Sequence, residues 1–144
     1  MKIMLINGVN LNFVGIREKG VYGNKDFNSI CEDVKKYAED KGVELTLFQS
    51  NCEGEIVDCL QKAYFEKYDA VVINPGAYSH YSIAIYDAIK SISLPCVEVH
   101  LSNVHAREDF RKNCVTAGAC CGQICGFGEL GYRMAIDALV AQAK

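Results

Sequence analysis

Short apolar runs and helix-spaced stretches alternate five times along this chain, and that alternation constrains its fold more than any other feature. Lys2–Ile6 is near-continuously apolar, the pattern of a strand buried on both faces. Asp26 can cap a helix with Phe27, Ile30, Cys31, Val34 and Tyr37–Ala38 on one face, stopped by Gly42. Val43–Gln49 reads as a second strand. Glu53–Glu66 reads as a helix with Ile56, Val57, Leu60 and Ala63–Tyr64 inward, and its early Glu53 and Glu55 suit the helix dipole. Ala70–Ile73 is a third strand, ended by Asn74-Pro75-Gly76. The next helix, about Ser79 to Ser91, places Ile83, Ala84, Ala88 and Ile89 on its buried side. Cys96–Val99 follows Pro95 as a fourth strand. A small-residue strand, about Ala119–Cys125, leads through GFGELG into a last helix ending near Ala143. The alternation predicts an α/β fold: a flavodoxin-like, doubly wound, five-stranded parallel sheet of order 2-1-3-4-5 with helices on both faces. A length of 144 residues suits one domain, 1–144, around one core.

Two stretches escape the periodicity. The first, residues 6–23 (INGVNLNFVGIREKGVYG), joins the first strand to the first helix and is too long for a plain connection. Its Leu11, Phe13, Val14, Ile16, Val21 and Tyr22 give it apolar groups to dock with, so it reads as an ordered lid over about 8–24. Asn10, Arg17 and Tyr22 are its chemical tools. The lid is expected to be loose when empty and ordered over a bound ligand. The second stretch, 100–115, holds His100, His105, Arg107 and Arg111. In doubly wound folds ligands bind beyond the carboxyl ends of the strands, at the switch point between the first and third. Asn7-Gly8, Asn74-Pro75-Gly76 and His100-Leu101-Ser102 all end strands there, so polar groups far apart in sequence are expected to converge on one crevice. His105 is expected to be structural. Arg107 and Arg111 can also pair with Glu108 and Asp109 as a solvated face.

Several function classes are excluded. A net charge of -3 gives no reason to expect nucleic acid or an anionic membrane as partner. No apolar run is long enough to span a bilayer, and MKIMLING is too short and too soon polar for a secretory signal, so cytoplasm is the default. Eight cysteines in a reducing compartment are expected to be thiols, with Cys31, Cys59 and Cys96 acting as small buried hydrophobes. Cys114, Cys120, Cys121 and Cys125 cluster, but CCGQIC lacks paired zinc hooks, and adjacent Cys120 and Cys121 point to opposite faces if the segment is a strand. No metal is expected. GFGELG imitates a dinucleotide fingerprint, yet no strand and ribose-binding acid follow it, so it reads as a tight strand-to-helix turn. A receiver domain needs an acidic cluster at the strand ends, and a flavin module needs a Ser/Thr-rich phosphate loop; neither is present. The competing reading is a non-catalytic flavodoxin-like small-ligand or signalling module.

The motifs NGVNLNFVGIRE with a following YG at 7–23, INPGAYSHYSIAIYDAI at 73–89, VEVHLSN at 97–103, REDFR at 107–111 and GFGELGY at 126–132 resemble those of type II 3-dehydroquinate dehydratases, in the same order and over nearly the whole chain. Val9 and Lys19 stand where that family usually or often has Pro, and the cysteine-rich 114–125 stretch also departs from it. The resemblance implies a hydro-lyase that takes 3-dehydroquinate to 3-dehydroshikimate by anti elimination through an enolate. It uses no cofactor, metal or Schiff base, and the step serves the shikimate pathway to aromatic amino acids or quinate breakdown. Tyr22 matches the base. Ionising an ordinary Tyr at pH 7 costs about 4 kcal/mol, and Arg17 matches the cation that offsets part of it. Asn10 matches the group that stabilises the enolate oxygen. His100 matches the acid that protonates the departing hydroxyl, and Glu98, two residues earlier on the same strand face, can orient or charge it. Asn74, His80, Leu101, Ser102 and Arg111 match substrate-binding positions. Asp87 matches a residue that reaches a neighbouring subunit's site, which implies a dodecamer built from trimers.

Overall fold

The computed structural model describes residues 1–16 and 25–144. Five strands run in the order expected: β1 (Lys2–Asn7), β2 (Glu44–Gln49), β3 (Ala70–Asn74), β4 (Cys96–His100) and β5 (Gly122–Cys125) form one sheet, β2-β1-β3-β4-β5. Every pairing is parallel, with Asn7 opposite Asn74 and His100 opposite Cys125. β3 and β4 are buried throughout and β1 nearly so, as continuous apolar runs require; the edge strands β2 and β5 are only partly covered.

Strand alternation sends side chains to two cores. Ile3, Leu5, Val72, Val97 and Val99 meet α1 (Phe27–Asp40) and α4 (Leu130–Gln142) on one face. Met4, Ile6, Val71, Ile73 and Cys96 meet α2 (Glu53–Phe65) and α3 (Ile83–Ile92) on the other. α1 begins and ends where its sequence says. The Asp26 carboxylate accepts from Ser29 N at 2.8 Å. Gly42, at φ 72°, closes a Schellman turn in which Gly42 N donates to Glu39 O and Val43 N to Ala38 O, both at 2.9 Å.

Three expectations are corrected. The apolar face of α3 is phased on Ile85, Ala88, Ile89 and Ile92, and Ile83 and Ala84 lie exposed. The cause is the helix start: Gly76–His80 forms a separate 3-10 turn, and Ser82 caps α3 by accepting from Ile85 N at 3.0 Å. Tyr64 on α2 is exposed and packs edge-on against Phe65 instead of entering the core. The strand expected from about Ala119 begins later, after the crossover from β4. Three 3-10 turns, Val104–Ala106, Asp109–Lys112 and Thr116–Ala119, carry that crossover, and β5 starts only at Gly122. Cys120 and Cys121 therefore precede the strand and both turn toward Cys96: the Cys120 and Cys96 Sγ atoms are 3.8 Å apart, and Cys121 Sγ is 3.1 Å from Cys96 O. All eight cysteines are free. Burial pushes the Cys31, Cys59 and Cys125 thiols up to about 11.

Candidate active site

The switch point is a close crossing of two strand ends. Gly8 N donates to Asn74 O at 2.7 Å, and a Cβ on Gly8 would run into the Pro75 backbone. Gly76, at φ 65°, sits where a Cβ would meet Val9 O at 2.6 Å. Only glycine serves at either place. The side chains behind the crossing are locked as well. The Tyr132 phenol, from the start of α4, donates to Asn7 Oδ1 at 2.5 Å and accepts from Asn74 Nδ2 at 3.1 Å. Asn74 Oδ1 in turn accepts from Gly76 N at 3.2 Å. Asn74 thus faces the crevice in one orientation.

The crevice is a solvent-open cleft of about 740 Å³, mouth included. Asn10, Asn74, His80, His100, Leu101, Ser102 and Arg111 line it together, seven groups drawn from four separate stretches of chain. Asn10 sits at φ 67° and is held by its own N–H, which donates to Asn51 Oδ1 at 2.9 Å. His80 Nδ1 lies 2.9 Å from Asn113 O, and its ring stacks over His100 at 6.3 Å. Arg111 keeps a salt bridge to Glu108 at 2.8 Å while reaching the cleft, so the solvated-face pairing and the binding position coexist. Arg107 lies in the REDFR motif but is given no binding role by the resemblance: it also lines the cleft and donates to Ser102 Oγ at 3.3 Å. Two guanidinium groups on one rim suit a small carboxylate rich in hydroxyls. The GFGELG turn supports this edge, since Gly126 N donates to His100 O and Gly128 N to Leu101 O.

Glu98 does not line the cleft. It is fully buried behind His100, and its Oε1 is 2.7 Å from His100 Nε2. Thr116 Oγ1 donates to Glu98 Oε2 at 2.5 Å and Gln123 Nε2 to Oε1 at 3.1 Å, so the carboxylate is held from three directions. Burial alone pulls the His100 imidazolium down. Hydrogen bonds to Cys114 and Glu98, with the Glu98 charge, outweigh it and push the pKa up to about 9. At neutral pH His100 is therefore an imidazolium facing the cleft, able to give up a proton. Nothing in the sequence pattern marks Cys114, Thr116 or Gln123 for this site, because each arrives from the β4–β5 crossover or the strand after it.

Asp87 lies on the exposed face of α3, away from the cleft of its own chain, beside the exposed Ile83 and Ala84. Arg17 and Tyr22, and with them the central part of the expected lid, fall in 17–24, outside the described residues. The bases of that segment are in place: Phe27 N donates to Val14 O at 3.1 Å, and a Cβ on Gly15 (φ 85°) would meet the Lys25–Asp26 backbone at 2.7 Å. Lys25 is tied to Asp33 and Glu129, each at 2.6 Å.

A family model described as dehydroquinase class II matches residues 1–140. The 3-dehydroquinate dehydratase of Clostridium beijerinckii is 70% identical over 139 residues, 96% of this chain and 95% of that protein. The crystal structure of the type II dehydroquinase from Butyrivibrio crossotus superposes with a TM-score of 0.96 at 52% identity, covering 97% of each chain. That from Propionibacterium acnes superposes with a TM-score of 0.93 at 36% identity, over 97% of this chain and 96% of the other. The likeness spans nearly the whole chain, and the chain belongs to the class II dehydroquinase family.

Proposed function

We propose that this protein dehydrates 3-dehydroquinate to 3-dehydroshikimate by anti elimination through an enolate. The observation that carries the reading is the buried Glu98–His100 pair at the cleft floor, 2.7 Å apart, which keeps a charged acid ready beside a rim of two arginines. Tyr22, helped by Arg17, removes the proton next to the ketone, and Asn10 stabilises the enolate oxygen. His100 then protonates the departing hydroxyl. The roles of Tyr22 and Arg17 rest on the match of their sequence motif. Asn74, Leu101 and Ser102 hold the substrate carboxylate; His80 and Arg111 hold ring hydroxyls. Each charge that develops is met by a side chain of this chain, so the reaction needs no metal, imine or other cofactor. Residues 8–24 act as the lid within the single catalytic domain.

Asp87 completes the site of a neighbouring copy in a dodecamer of trimers. Its exposed position outside the lining of its own cleft, one helical turn after the exposed Ile83, supports that role. The enzyme works in the cytoplasm; among the described residues no helix is long and apolar enough to cross a membrane. A non-catalytic module of the same fold is the less favoured reading, because it has no use for a buried carboxylate that charges an imidazole at the cleft floor. The test is direct: 3-dehydroquinate added to the purified protein should give rising ultraviolet absorbance from the conjugated enone. No rise at any protein concentration would overturn the activity, and a fully active monomer would overturn the neighbour's role.

A further inference from the structure

Beside the Glu98–His100 pair the fold brings a thiol, Cys114, to which the elimination assigns no step. Glu98, His100 and Cys114 each offer one ligand atom, and the three atoms lie within 4.8 Å of one another. A carboxylate, an imidazole and a thiol are the three side-chain types that zinc selects. Its bonds of about 2.0–2.3 Å put tetrahedral ligand atoms roughly 3.5 Å apart, so a spread of 4.8 Å closes by about 1.3 Å and the Glu98–His100 contact of 2.7 Å opens by about 0.8 Å. The outer shell is already built: Thr116 and Gln123 fix the Glu98 carboxylate by hydrogen bonds at 2.5 and 3.1 Å, the kind of partner that orients a ligating group. His100 opens to the cleft while Glu98 is fully buried, which leaves an approach from solvent on one side and a buried negative charge on the other. The cysteine motif CCGQIC plays no part; the thiol comes from Cys114, and its ligand partners from β4.

We propose that Glu98, His100 and Cys114 bind a thiophilic divalent cation, with zinc as the type, and that the bound cation blocks the acid function of His100. On binding, two protons are released, one from the Cys114 thiol and one held between His100 and Glu98, so that a thiolate and a carboxylate balance the 2+ charge of the cation. The fourth position faces the cleft and takes water. While the cation is bound, one His100 nitrogen holds the metal and the ring is a neutral imidazole instead of an imidazolium, a far weaker acid toward a departing hydroxyl. The site is thus inhibitory, and its effect on turnover rests on the dehydratase reading, whereas its existence does not.

The experiment uses the intact protein with Co²⁺ as a spectroscopic stand-in and Zn²⁺ in calorimetry and activity assays. Wild type should show a thiolate-to-cobalt charge-transfer band and one zinc per chain, and zinc should stop turnover reversibly, with chelator restoring it. Cys114→Ser should lose the band, and both Cys114→Ser and His100→Gln should weaken zinc by at least the roughly 10–100-fold that loss of even an outer-shell partner costs. Replacing the exposed thiols together, Cys52→Ser with Cys121→Ser, should leave band and affinity unchanged. The site is overturned if wild type shows no band, if the band survives Cys114→Ser, or if it disappears with the exposed thiols. A Cys114-dependent band with undiminished turnover in zinc overturns the inhibition. A Cys114-dependent band in a protein inert toward 3-dehydroquinate upholds the cation site and overturns the dehydratase reading instead.

Discussion

The cleft has two irregular walls, residues 8–15 after β1 and 101–121 after β4, and they are held in different ways. The second is tied into the sheet. Thr116 reaches Glu98, Asn113 O meets His80, Cys121 N donates to Cys96 O at 2.8 Å, and the glycines after β5 clasp His100 and Leu101. The first mostly bonds to itself, through short turns from Leu11 N to Gly8 O, Phe13 N to Asn10 O and Val14 N to Leu11 O. Two buried side chains, Leu11 and Val14, and a few bonds to Gln49, Asn51 and Phe27 anchor it, while Phe13 and Ile16 stand exposed. The wall after β4 is therefore tied by hydrogen bonds to the strands around His100, and the wall after β1 is held mainly by its own turns. An acid whose pKa is raised by fixed hydrogen-bond partners needs rigid surroundings; a group that closes over a substrate needs a detachable support.

The largest expected effects test whether both walls carry chemistry. His100→Ala and Tyr22→Phe should each reduce turnover by about 10²–10⁴-fold with the fold intact, the usual worth of a general acid or base. Steady-state kinetics beside circular dichroism check this, and wild-type turnover in Tyr22→Phe would leave the wall after β1 without its base.

Next comes the charge behind the acid. His100 is raised from 6.5 to about 9, so turnover should hold at lower pH and fall as pH rises through about 9, when the proton to be donated is lost. The stability that this shift contributes has the same sign: complete below 6.5, lost as pH rises through about 9. Glu98→Gln keeps the shape, removes the charge and should move the falling limb of the pH–rate profile to lower pH. A limb that stays put would mean that Glu98 only fills space.

A smaller effect separates the walls by stability. Thr116→Val leaves a buried carboxylate oxygen without its donor, at a cost of about 1–3 kcal/mol in urea unfolding. Gly15→Ala, in the other wall, should change global stability less, by about 1 kcal/mol of local left-handed strain, yet raise KM by displacing the base of the 16–25 segment. If Gly15→Ala proved the more destabilising of the two, the contrast drawn between the walls would be wrong. The mildest expectation is proteolytic: saturating substrate analogue should slow tryptic cleavage at Lys19–Gly20, read by mass spectrometry, because a ligand protects what closes on it. Equal cleavage with and without ligand would remove the lid.

Most of the frame was legible from the residues alone. Continuous apolar runs and 3.6-residue spacing are local signals, so the sheet, its order, the caps at Asp26 and Gly42 and the switch-point crevice could all be read in advance. Helix phase was less secure: the 3-10 turn at 76–80 shifted the buried face of α3 from Ile83 to Ile85, because Ser82 caps the helix later than the apolar pattern suggests. The crossover was legible only as a loop at 100–115, with the last strand begun too early at about Ala119, since 3-10 turns repeat too briefly to leave a period.

The sequence by itself determined that Asn10, Asn74, His100 and Ser102 share one edge of a parallel sheet, because strand ends must lie together whatever the loops do, while His80 and Arg111 came to that edge only through the motif resemblance. It also placed Glu98 and His100 on one strand face, by a period of two. What only the tertiary structure decided is what surrounds that pair. Arg107 turned inward to the cleft, and Cys114, Thr116 and Gln123 came to rest against Glu98 and His100. Those contacts join residues up to 25 positions apart across a crossover with no repeating pattern. Their chemistry depends on burial and distance, and neither is written in any local stretch of the chain.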